Sequence, residues 1–176
     1  MKTYAFVFAR GGSKGLPGKN TRNLAGKPLL AHSIDLAREI EEVDKIFVST
    51  EDQTIAQIAR EYGVTVIDRP EKLAQDDSPE WLAWQHAVYW LEEREDKFDV
   101  FLSLPTTSPL RSKDDVLNCL NRLDDETDVV ATITETNHSP WFNMVQFEKD
   151  EKLRLLAKGN YTRRQDVPQG YDMTTV

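Results

Sequence analysis

The sequence predicts an α/β fold in which a mostly parallel sheet is flanked by helices. From Tyr4 to Ile133, short apolar runs of strand composition alternate with segments in which apolar residues recur at helical spacing. Because such alternation is typical of right-handed βαβ units, neighbouring strands are expected to run parallel. The length of 176 residues suits a single domain, which we take to span residues 1–176.

Three short strands are expected in the first part of the chain, at residues 4–8, 45–49 and 64–67. Between the first two, apolar residues recur at helical spacing from Leu29 to Ile40, and Pro28 suits the first helical turn. A second helix is expected to follow the second strand and to end near Tyr62, because Gly63 is a typical helix stop.

The next helix is expected to begin at Ser78 and Pro79, which suit an N-cap and a first-turn proline. We expect a packed core helix whose inward face contains Trp81, Trp84, Val88 and Leu91. Four further segments follow: a strand at 99–104, a helix at 113–124, a strand at 128–133 and a hairpin at 142–147 and 152–156. After a polar, irregular stretch, another strand is expected to begin at Tyr171.

A basic, glycine-rich loop follows the first predicted strand. Five of the eight glycines lie between Gly11 and Gly26, and no acidic residue precedes Asp35. The same region contains five cationic side chains, Arg10, Lys14, Lys19, Arg22 and Lys27. Glycines let backbone amides approach an anion closely, and lysine and arginine neutralise its charge. We therefore interpret the loop as a phosphate-binding site, against the alternative of an ordinary glycine-rich turn.

Several classes of protein are disfavoured by the sequence. The loop lacks the Gly-Lys-Ser/Thr of a Walker A motif and the Gly-x-Gly-x-x-Gly of a dinucleotide site. The net charge of −8 argues against a nucleic-acid partner. We expect neither a signal peptide nor a membrane span, and the single cysteine, Cys119, suits a reducing cytoplasm without disulfides.

Residues 8–20, Phe8-Ala-Arg-Gly-Gly-Ser-Lys-Gly-Leu-Pro-Gly-Lys-Asn20, resemble the signature loop of the CMP-sialic acid synthetases, the acylneuraminate cytidylyltransferases. Further matches to this family follow in the expected order at residues 26–34, 48–50, 63–64, 69–70, 73–74, 76–78, 107–111 and 163–168. Together they cover nearly the whole chain. The loop is specific for the family, and the ordered companions strengthen the resemblance.

The resemblance implies a Rossmann-like nucleotidyltransferase fold with one cytidylyltransferase domain over residues 1–176. Within that domain, the hairpin and the polar segment after it, at about residues 134–170, are typical of a dimerisation arm or a lid. The resemblance also implies a homodimer that joins CMP from CTP to a nine-carbon α-keto acid sugar, with Mg²⁺ and with pyrophosphate as the second product. One alternative is a CMP-KDO-type synthetase, which the Arg10–Lys14 version of the loop disfavours. The other is a nucleotide-binding or dimerisation module without catalysis.

By matching position, the resemblance implies that Arg10 and Lys19 hold the triphosphate and stabilise the departing pyrophosphate. Nucleotide contacts are implied for Gly11, Gly12, Ser13, Lys14, Gly15, Asn20, Arg69 and Ser78. Arg164 matches an arginine near the sugar acid, where a guanidinium can bind a carboxylate through two hydrogen bonds. Thr107 and Ser108 are candidates for substrate contact, with a purely structural turn as the alternative.

Three departures from the family pattern concern the sugar and the metal. Pro105-Thr106 stands where Gln-Pro is usual, and Phe142 stands where a lysine is expected. These changes suggest a legionaminic- or pseudaminic-type acid as readily as sialic acid. The sequence ends at Val176, and the metal-binding aspartates of the family are expected beyond that point, so no metal ligand is assigned.

Two acidic pairs follow predicted strands and have alternative interpretations. Glu51-Asp52 could bind a metal, but we favour a cap on the helix that follows. Asp76-Asp77 could approach a ribose or a metal, or could lie in solvent before the next helix.

Overall fold

The computed structural model describes residues 1–174, which form two compact units, Met1–Asn118 and Cys119–Thr174. The strands of the first unit are β1 (Thr3–Phe8), β2 (Asn23–Leu24), β3 (Lys27–Pro28), β4 (Val43–Thr50), β5 (Thr65–Asp68) and β6 (Val100–Ser103). Its helices are α1 (Leu29–Glu39), α2 (Gln53–Glu61) and α3 (Glu80–Glu92), and α4 (Lys113–Leu120) runs from the first unit into the second. No helix within residues 1–174 combines the length and apolar character that crossing a membrane requires.

The first unit contains a four-stranded parallel sheet in the order β5-β4-β1-β6. The predicted alternation of strands and helices is therefore confirmed as far as β6. Helices α1 and α2 connect β1, β4 and β5 in one direction along the sheet, and α3 precedes the return to β6 on the other side. Right-handed crossovers in opposite directions place their helices on opposite faces of a parallel sheet.

The two faces of β1 explain how the core is divided. Side chains alternate along a strand, so Tyr4 and Phe6 point to one face and Ala5 and Val7 to the other. All four are fully buried. The aromatic face packs against α3 in one cluster that contains Tyr4, Phe6, Phe47, Ile67, Ala87 and Leu91. The smaller side chains leave room for α1 and α2, which contact β1, β4 and β5.

Helix α3 corrects two sequence predictions. Its inward side contains Ala83, Ala87 and Leu91, whereas Trp81 is 61% exposed. Small alanines let the helix approach a sheet face that is already filled with aromatic rings. Ser78 is not the N-cap, because Pro79 takes that position and the Ser78 hydroxyl donates to the carbonyl of Lys72 at 2.8 Å.

Local signals in the sequence correctly predicted the ends of α2, but they missed a short hairpin before α1. Asp52 caps α2, and Gly63 follows its end with a φ of 63°. The pair β2 and β3 is joined by Ala25 and Gly26, whose φ angles are 49° and 95°. Positive φ at both central residues is typical of a two-residue type I′ hairpin turn.

The second unit contains two separate antiparallel pairs of strands. These strands are β7 (Ile133–Glu135), β8 (Val145–Phe147), β9 (Leu153–Leu155) and β10 (Tyr171–Met173). Strand β8 pairs with β9, which confirms the predicted hairpin, and β10 confirms a strand beginning at Tyr171. Residues 175–176 of that predicted strand lie outside the described residues.

The predicted fifth parallel strand at 128–133 is wrong. Strand β7 pairs antiparallel with β10 instead, and Val129 is 78% exposed. The β-branched run predicted burial, but a strand's pairing depends on partners distant in sequence, here Tyr171–Met173. The helix predicted for residues 113–124 also ends earlier, at Leu120.

Candidate active site

The carboxyl ends of the four parallel strands lie along one edge of the first unit's sheet. The chain moves outward from β1 through β4 to β5 and then returns to β6 on the opposite side of β1. The topological switch point therefore lies between the carboxyl ends of β1 and β6. Open α/β sheets bind their ligands at such a point. The basic loop follows β1 at this position, and residues 104–112 follow β6.

Asn20 holds the basic loop in shape and connects it to the segment after β6. Its side chain is buried, and its Nδ2 donates to the carbonyl of Arg10 at 3.0 Å. Its Oδ1 accepts a hydrogen bond from the buried Thr106 hydroxyl at 2.8 Å. Thr106, one of the departures from the family pattern, thus has a structural partner in this site. Nucleotide contact by Asn20 stays a prediction.

Glu51 and Arg69 form a buried ion pair beside the start of the loop. Their side chains are 15% and 5% exposed, and Arg69 Nη2 donates to Glu51 Oε2 at 2.8 Å. The same Nη2 donates to the carbonyl of Ala9 at 3.2 Å. Glu51 Oε1 accepts from the backbone N–H of Gly11 at 2.8 Å. The ends of β4 and β5 therefore fix the backbone of the first loop residues.

The Glu51-Asp52 pair divides into two different structural roles. Asp52 Oδ1 accepts from the backbone N–H groups of Thr54 and Ile55 at 2.8 and 2.9 Å. This confirms the helix-cap interpretation for Asp52. Glu51 does not cap the helix, and its carboxylate is occupied by Arg69 and Gly11.

Four of the five cations near the loop have polar partners. Arg10 Nη1 and Lys14 Nζ pair with Asp76 at 3.1 and 2.7 Å. Lys27 pairs with Asp35, and Arg22 Nε donates to the carbonyl of Pro17 at 3.0 Å. Lys19, half-buried at the start of a short 3₁₀ turn, has no ion pair within residues 1–174. The fold thus brings the carboxylates of Asp76 and Asp35 to the cations of residues 10–27, a stretch that contains no acidic residue.

The contacts of Asp76 affect its acidity. Hydrogen bonding to the Lys14 ammonium, the largest effect, and the nearby Arg10 charge hold the pKa of Asp76 below its ordinary value. The carboxylate is therefore ionised at neutral pH and neutralises part of the loop's positive charge.

The loop glycines differ in what requires them. A side chain at Gly11 would collide with the Asp52 carboxylate, and Gly18 has a φ of 65°. At Gly12 and Gly15, an added Cβ would meet no atom within 4 Å, and neither glycine has a positive φ. Neither packing nor backbone conformation therefore requires glycine at those two positions.

The remaining candidate residues lie in several places. Ser13, half-buried, donates its backbone N–H to the carbonyl of Gly11 at 2.9 Å. Ser78 lies before α3 at the end of the segment that contains Asp76. Thr107 is exposed and Ser108 is half-buried in the turn after β6, on the same sheet edge as the loop. Their roles in binding stay predictions.

Arg164 belongs to the second unit, where it lines a cavity of about 290 Å³. The lining also includes His138, Phe142, Asn143 and Gln169. The side chain of Arg164 is exposed, and its neighbour Arg163 instead pairs with Asp166 at 2.6 Å. The cavity therefore offers one cation, Arg164, which can bind a carboxylate, together with one acidic side chain, Glu135, among mostly polar neighbours.

Residues 1–174 contain no group of three or more side chains arranged to hold a metal ion. The acids nearest the loop are already occupied: Glu51 by Arg69, Asp52 by the α2 backbone and Asp76 by Arg10 and Lys14. These residues do not fit a metal centre in the arrangement described, so we derive no step through one.

The sequence places Glu51 and Asp76 after predicted strands but assigns neither acid a contact with the basic loop. Both follow strands whose carboxyl ends lie on the loop's edge of the sheet, β4 and β5. That position was a usable signal, because parallel strands collect the residues that follow them along one edge. Which cation each acid contacts could not be inferred from the sequence.

Known proteins resemble this chain along almost its whole length. A family model described as "Cytidylyltransferase" matches residues 4–175. The flagellin modification protein B of Campylobacter coli is 33% identical over 170 residues, which cover 95% of this chain and 72% of that protein. An N-acylneuraminate cytidylyltransferase of Streptococcus agalactiae is 32% identical over 174 residues, 97% of this chain and 41% of that protein.

A shorter match has the higher identity. The CMP-N,N'-diacetyllegionaminic acid synthase of Legionella pneumophila is 41% identical over 117 residues, 66% of this chain and 50% of that enzyme. The matches thus span half or less of the Legionella and streptococcal enzymes. Among solved structures, a CMP:2-keto-3-deoxy-manno-octonic acid synthetase complexed with CTP aligns with a TM-score of 0.71 at 18% identity, covering 99% of this chain and 72% of that one. At that identity the likeness concerns the fold alone.

Proposed function

Because this chain belongs to the cytidylyltransferase family, we propose that it transfers CMP from CTP to an acidic nine-carbon sugar and releases pyrophosphate. The observation on which this depends most is the cation-rich loop at the switch point of the sheet, with Arg10 and Lys19 at its two ends. A triphosphate is an anion that matches several cations on one glycine-rich loop.

In the proposed reaction, the oxygen of the sugar's anomeric hydroxyl attacks the α-phosphorus of CTP, and the hydroxyl proton is released to solvent. The bond from that phosphorus to the oxygen bridging to the β-phosphate breaks, and its electron pair leaves with pyrophosphate. Such transfers depend mainly on positioning and on stabilising the charge that develops on the phosphoryl oxygens and leaving group. We assign that stabilisation to Arg10 and Lys19.

The rest of the loop is proposed to bind the phosphates through its backbone. Gly12 and Gly15 have no structural requirement for glycine, so close approach of a ligand is a physical reason for the missing side chains. Ser13 and Lys14 lie between them. The Gly11 N–H is occupied by Glu51, so we expect Gly11 to shape the loop rather than donate to phosphate. Asn20, Arg69 and Ser78 are proposed to surround the nucleotide.

For the sugar acid, we propose binding of its carboxylate by Arg164 in the cavity of the second unit. Thr107 and Ser108 are proposed to contact substrate from the turn after β6. Relatives named for N-acylneuraminate and N,N'-diacetyllegionaminic acid support a nine-carbon acid of one of these types. The eight-carbon acid of the structural neighbour is the alternative, supported only by likeness of fold.

The proposal includes a homodimer formed through the β8–β9 hairpin. Paired and alternate residues lie on one face of a hairpin, which here contains Val145, Phe147, Leu153 and Leu155. These side chains are 38–76% exposed, and Phe147 is the most exposed of them. An exposed, wholly apolar hairpin face is typical of an interface, and a second copy of this chain is our proposed partner.

Two further elements of the proposal are a cytoplasmic location and a divalent cation. The only cysteine, Cys119, is unpaired, which suits a reducing compartment. Mg²⁺ is expected to accompany the triphosphate, and we assign it no ligand within residues 1–174.

The proposed function is tested with the complete polypeptide, CTP, Mg²⁺ and a panel of eight- and nine-carbon sugar acids. Pyrophosphate release is measured for each acid, and the same panel with ATP, GTP and UTP serves as the control. We expect release with CTP and with at least one nine-carbon acid. If CTP binds but no acid gives pyrophosphate, the chain is a nucleotide-binding module without this activity.

A further inference from the structure

Asp76 occupies Arg10, which the proposed function assigns to the triphosphate, and Lys14 of the same loop. Its carboxylate lies 3.1 Å from Arg10 Nη1 and 2.7 Å from Lys14 Nζ. Arg10 Nη1 also donates to the carbonyl of the preceding residue, Gln75, at 3.1 Å. An anionic group from the segment after β5 thus sits on the loop where phosphate oxygens would bind.

The segment that presents Asp76 is ordered by hydrogen bonds of its own. Residues 71–78 begin with a 3₁₀ turn at Glu71–Leu73, and Gln75 Nε2 donates to the carbonyl of Glu71 at 2.9 Å. The Ser78 hydroxyl donates to the carbonyl of Lys72 at 2.8 Å. The segment can therefore keep its local structure when its contact with the loop is broken.

The contact between segment and loop is weak enough to be displaced. The side chains of Asp76, Arg10 and Lys14 are 46%, 35% and 76% exposed. Ion pairs this exposed contribute little to stability. A triphosphate has several negative charges against the single charge of Asp76, and Arg10 and Lys14 cannot fully bind both.

We propose that Asp76 is an internal competitor of the nucleotide: it holds Arg10 and Lys14 in the empty site and is displaced when a triphosphate binds. This inference rests on the proposed function for its ligand. The consequence is an affinity-setting role, because each binding event must first break the Asp76 contacts. Asp76 also screens two close positive charges in the empty enzyme, which keeps Arg10 and Lys14 near one another without a ligand.

The test compares Asp76→Asn with Asp77→Asn by calorimetry. Both remove one negative charge from the same segment, but Asp77 is exposed and makes no ion pair within residues 1–174. The probes are CTP and inorganic tripolyphosphate, each without sugar. Losing two exposed ion pairs should raise affinity for both probes about 2- to 30-fold over the Asp77→Asn control. The difference should shrink as salt concentration rises.

A second measurement follows the segment itself. In the wild-type protein, tripolyphosphate should shift the carboxyl and carbonyl NMR resonances of Asp76 and Gln75, because their contacts with Arg10 and Lys14 are lost. Affinity in Asp76→Asn equal to or below that of Asp77→Asn would overturn the proposal, and so would unchanged Asp76 and Gln75 resonances when tripolyphosphate binds. Failure of tripolyphosphate to bind any of these proteins would overturn it as well.

The outcomes separate this inference from the proposed function. If Asp76→Asn binds tripolyphosphate more tightly but the protein does not turn over CTP, the competing role of Asp76 is supported and the proposed CMP transfer is refuted. If the protein turns over CTP but Asp76→Asn gains no affinity for tripolyphosphate, the proposed CMP transfer is supported and the competing role of Asp76 is refuted.

Discussion

Replacing Glu51 by alanine should destabilise the protein by about 3–5 kcal/mol, the range for removing one partner of a buried ion pair. The variant leaves Arg69 with its side chain 5% exposed and without the carboxylate that accepts from Nη2. The Nε of Arg69 is already buried with no hydrogen-bond partner within residues 1–174. The backbone N–H of Gly11 loses its acceptor too.

The magnitude follows mainly from the uncompensated guanidinium. Within that range, about 1–3 kcal/mol comes from the backbone N–H of Gly11, which loses the charged carboxylate as its hydrogen-bond acceptor. Gly11 can recover part of that through water, because it is only half-buried. A total of about 3–5 kcal/mol is a large part of the 5–15 kcal/mol typical of a domain. It should lower the melting temperature by roughly 6–20 °C.

Urea unfolding with wild type, Glu51→Ala and Glu41→Ala measures this effect. Glu41 is exposed, so its replacement should change the free energy of unfolding by no more than about 0.5 kcal/mol. The double variant Glu51→Ala/Arg69→Met should be less destabilised than Glu51→Ala alone, because it no longer buries an unpaired charge. A Glu51→Ala protein within 1 kcal/mol of the Glu41→Ala control would refute the reasoning.

Three further predictions concern acidity, sugar binding and assembly. Hydrogen bonds from Lys45, the largest effect, and from Tyr4 hold the pKa of Asp96 at about 2 instead of 3.8. The ionised carboxylate therefore stabilises the fold above about pH 4, and this stabilisation is lost as the pH falls towards 2. Asp96→Asn should remove this component from unfolding curves recorded between pH 5 and pH 2, and an unchanged acid transition would contradict it. Arg164→Ala should raise the KM for the sugar acid at least about tenfold and leave CTP affinity unchanged, as lost charge-assisted hydrogen bonds do, whereas Arg163→Ala should alter neither. Phe147→Ser should convert the dimer to a monomer in light scattering, while Gln146→Ser on the opposite hairpin face should not; a wild-type monomer would refute the interface.

Features specified by neighbouring residues could be predicted from the sequence. Strand β1 and the start and end of α2 follow from the apolar run at residues 4–8, the cap at Asp52 and the stop at Gly63. The inward face of α3 could not, because apolar residues occupy nearly all sides of that helix. Without one apolar stripe, periodicity cannot tell Trp81 from Ala83 as the buried residue.

In the candidate site too, features formed by neighbouring residues could be predicted and contacts between distant segments could not. The loop and its cations are contiguous in the sequence, so they were visible as an anion site. The partners that shape the loop, Glu51, Asp76 and Thr106, come from three other segments and are brought together only by the parallel sheet. The prediction of a fifth parallel strand was wrong because β7 pairs with β10, which is distant in the sequence.

The most direct test of the central claim is pyrophosphate release by Arg10→Ala and Lys19→Ala in the complete polypeptide, with CTP and the best sugar acid. Lys97→Ala is the matched control, because Lys97 is exposed and precedes β6, at the opposite edge of the sheet from the loop. Our account predicts losses on the order of a hundredfold or more for the two loop variants and a normal rate for the control. Near-normal rates in Arg10→Ala and Lys19→Ala would contradict the placement of the triphosphate on this loop.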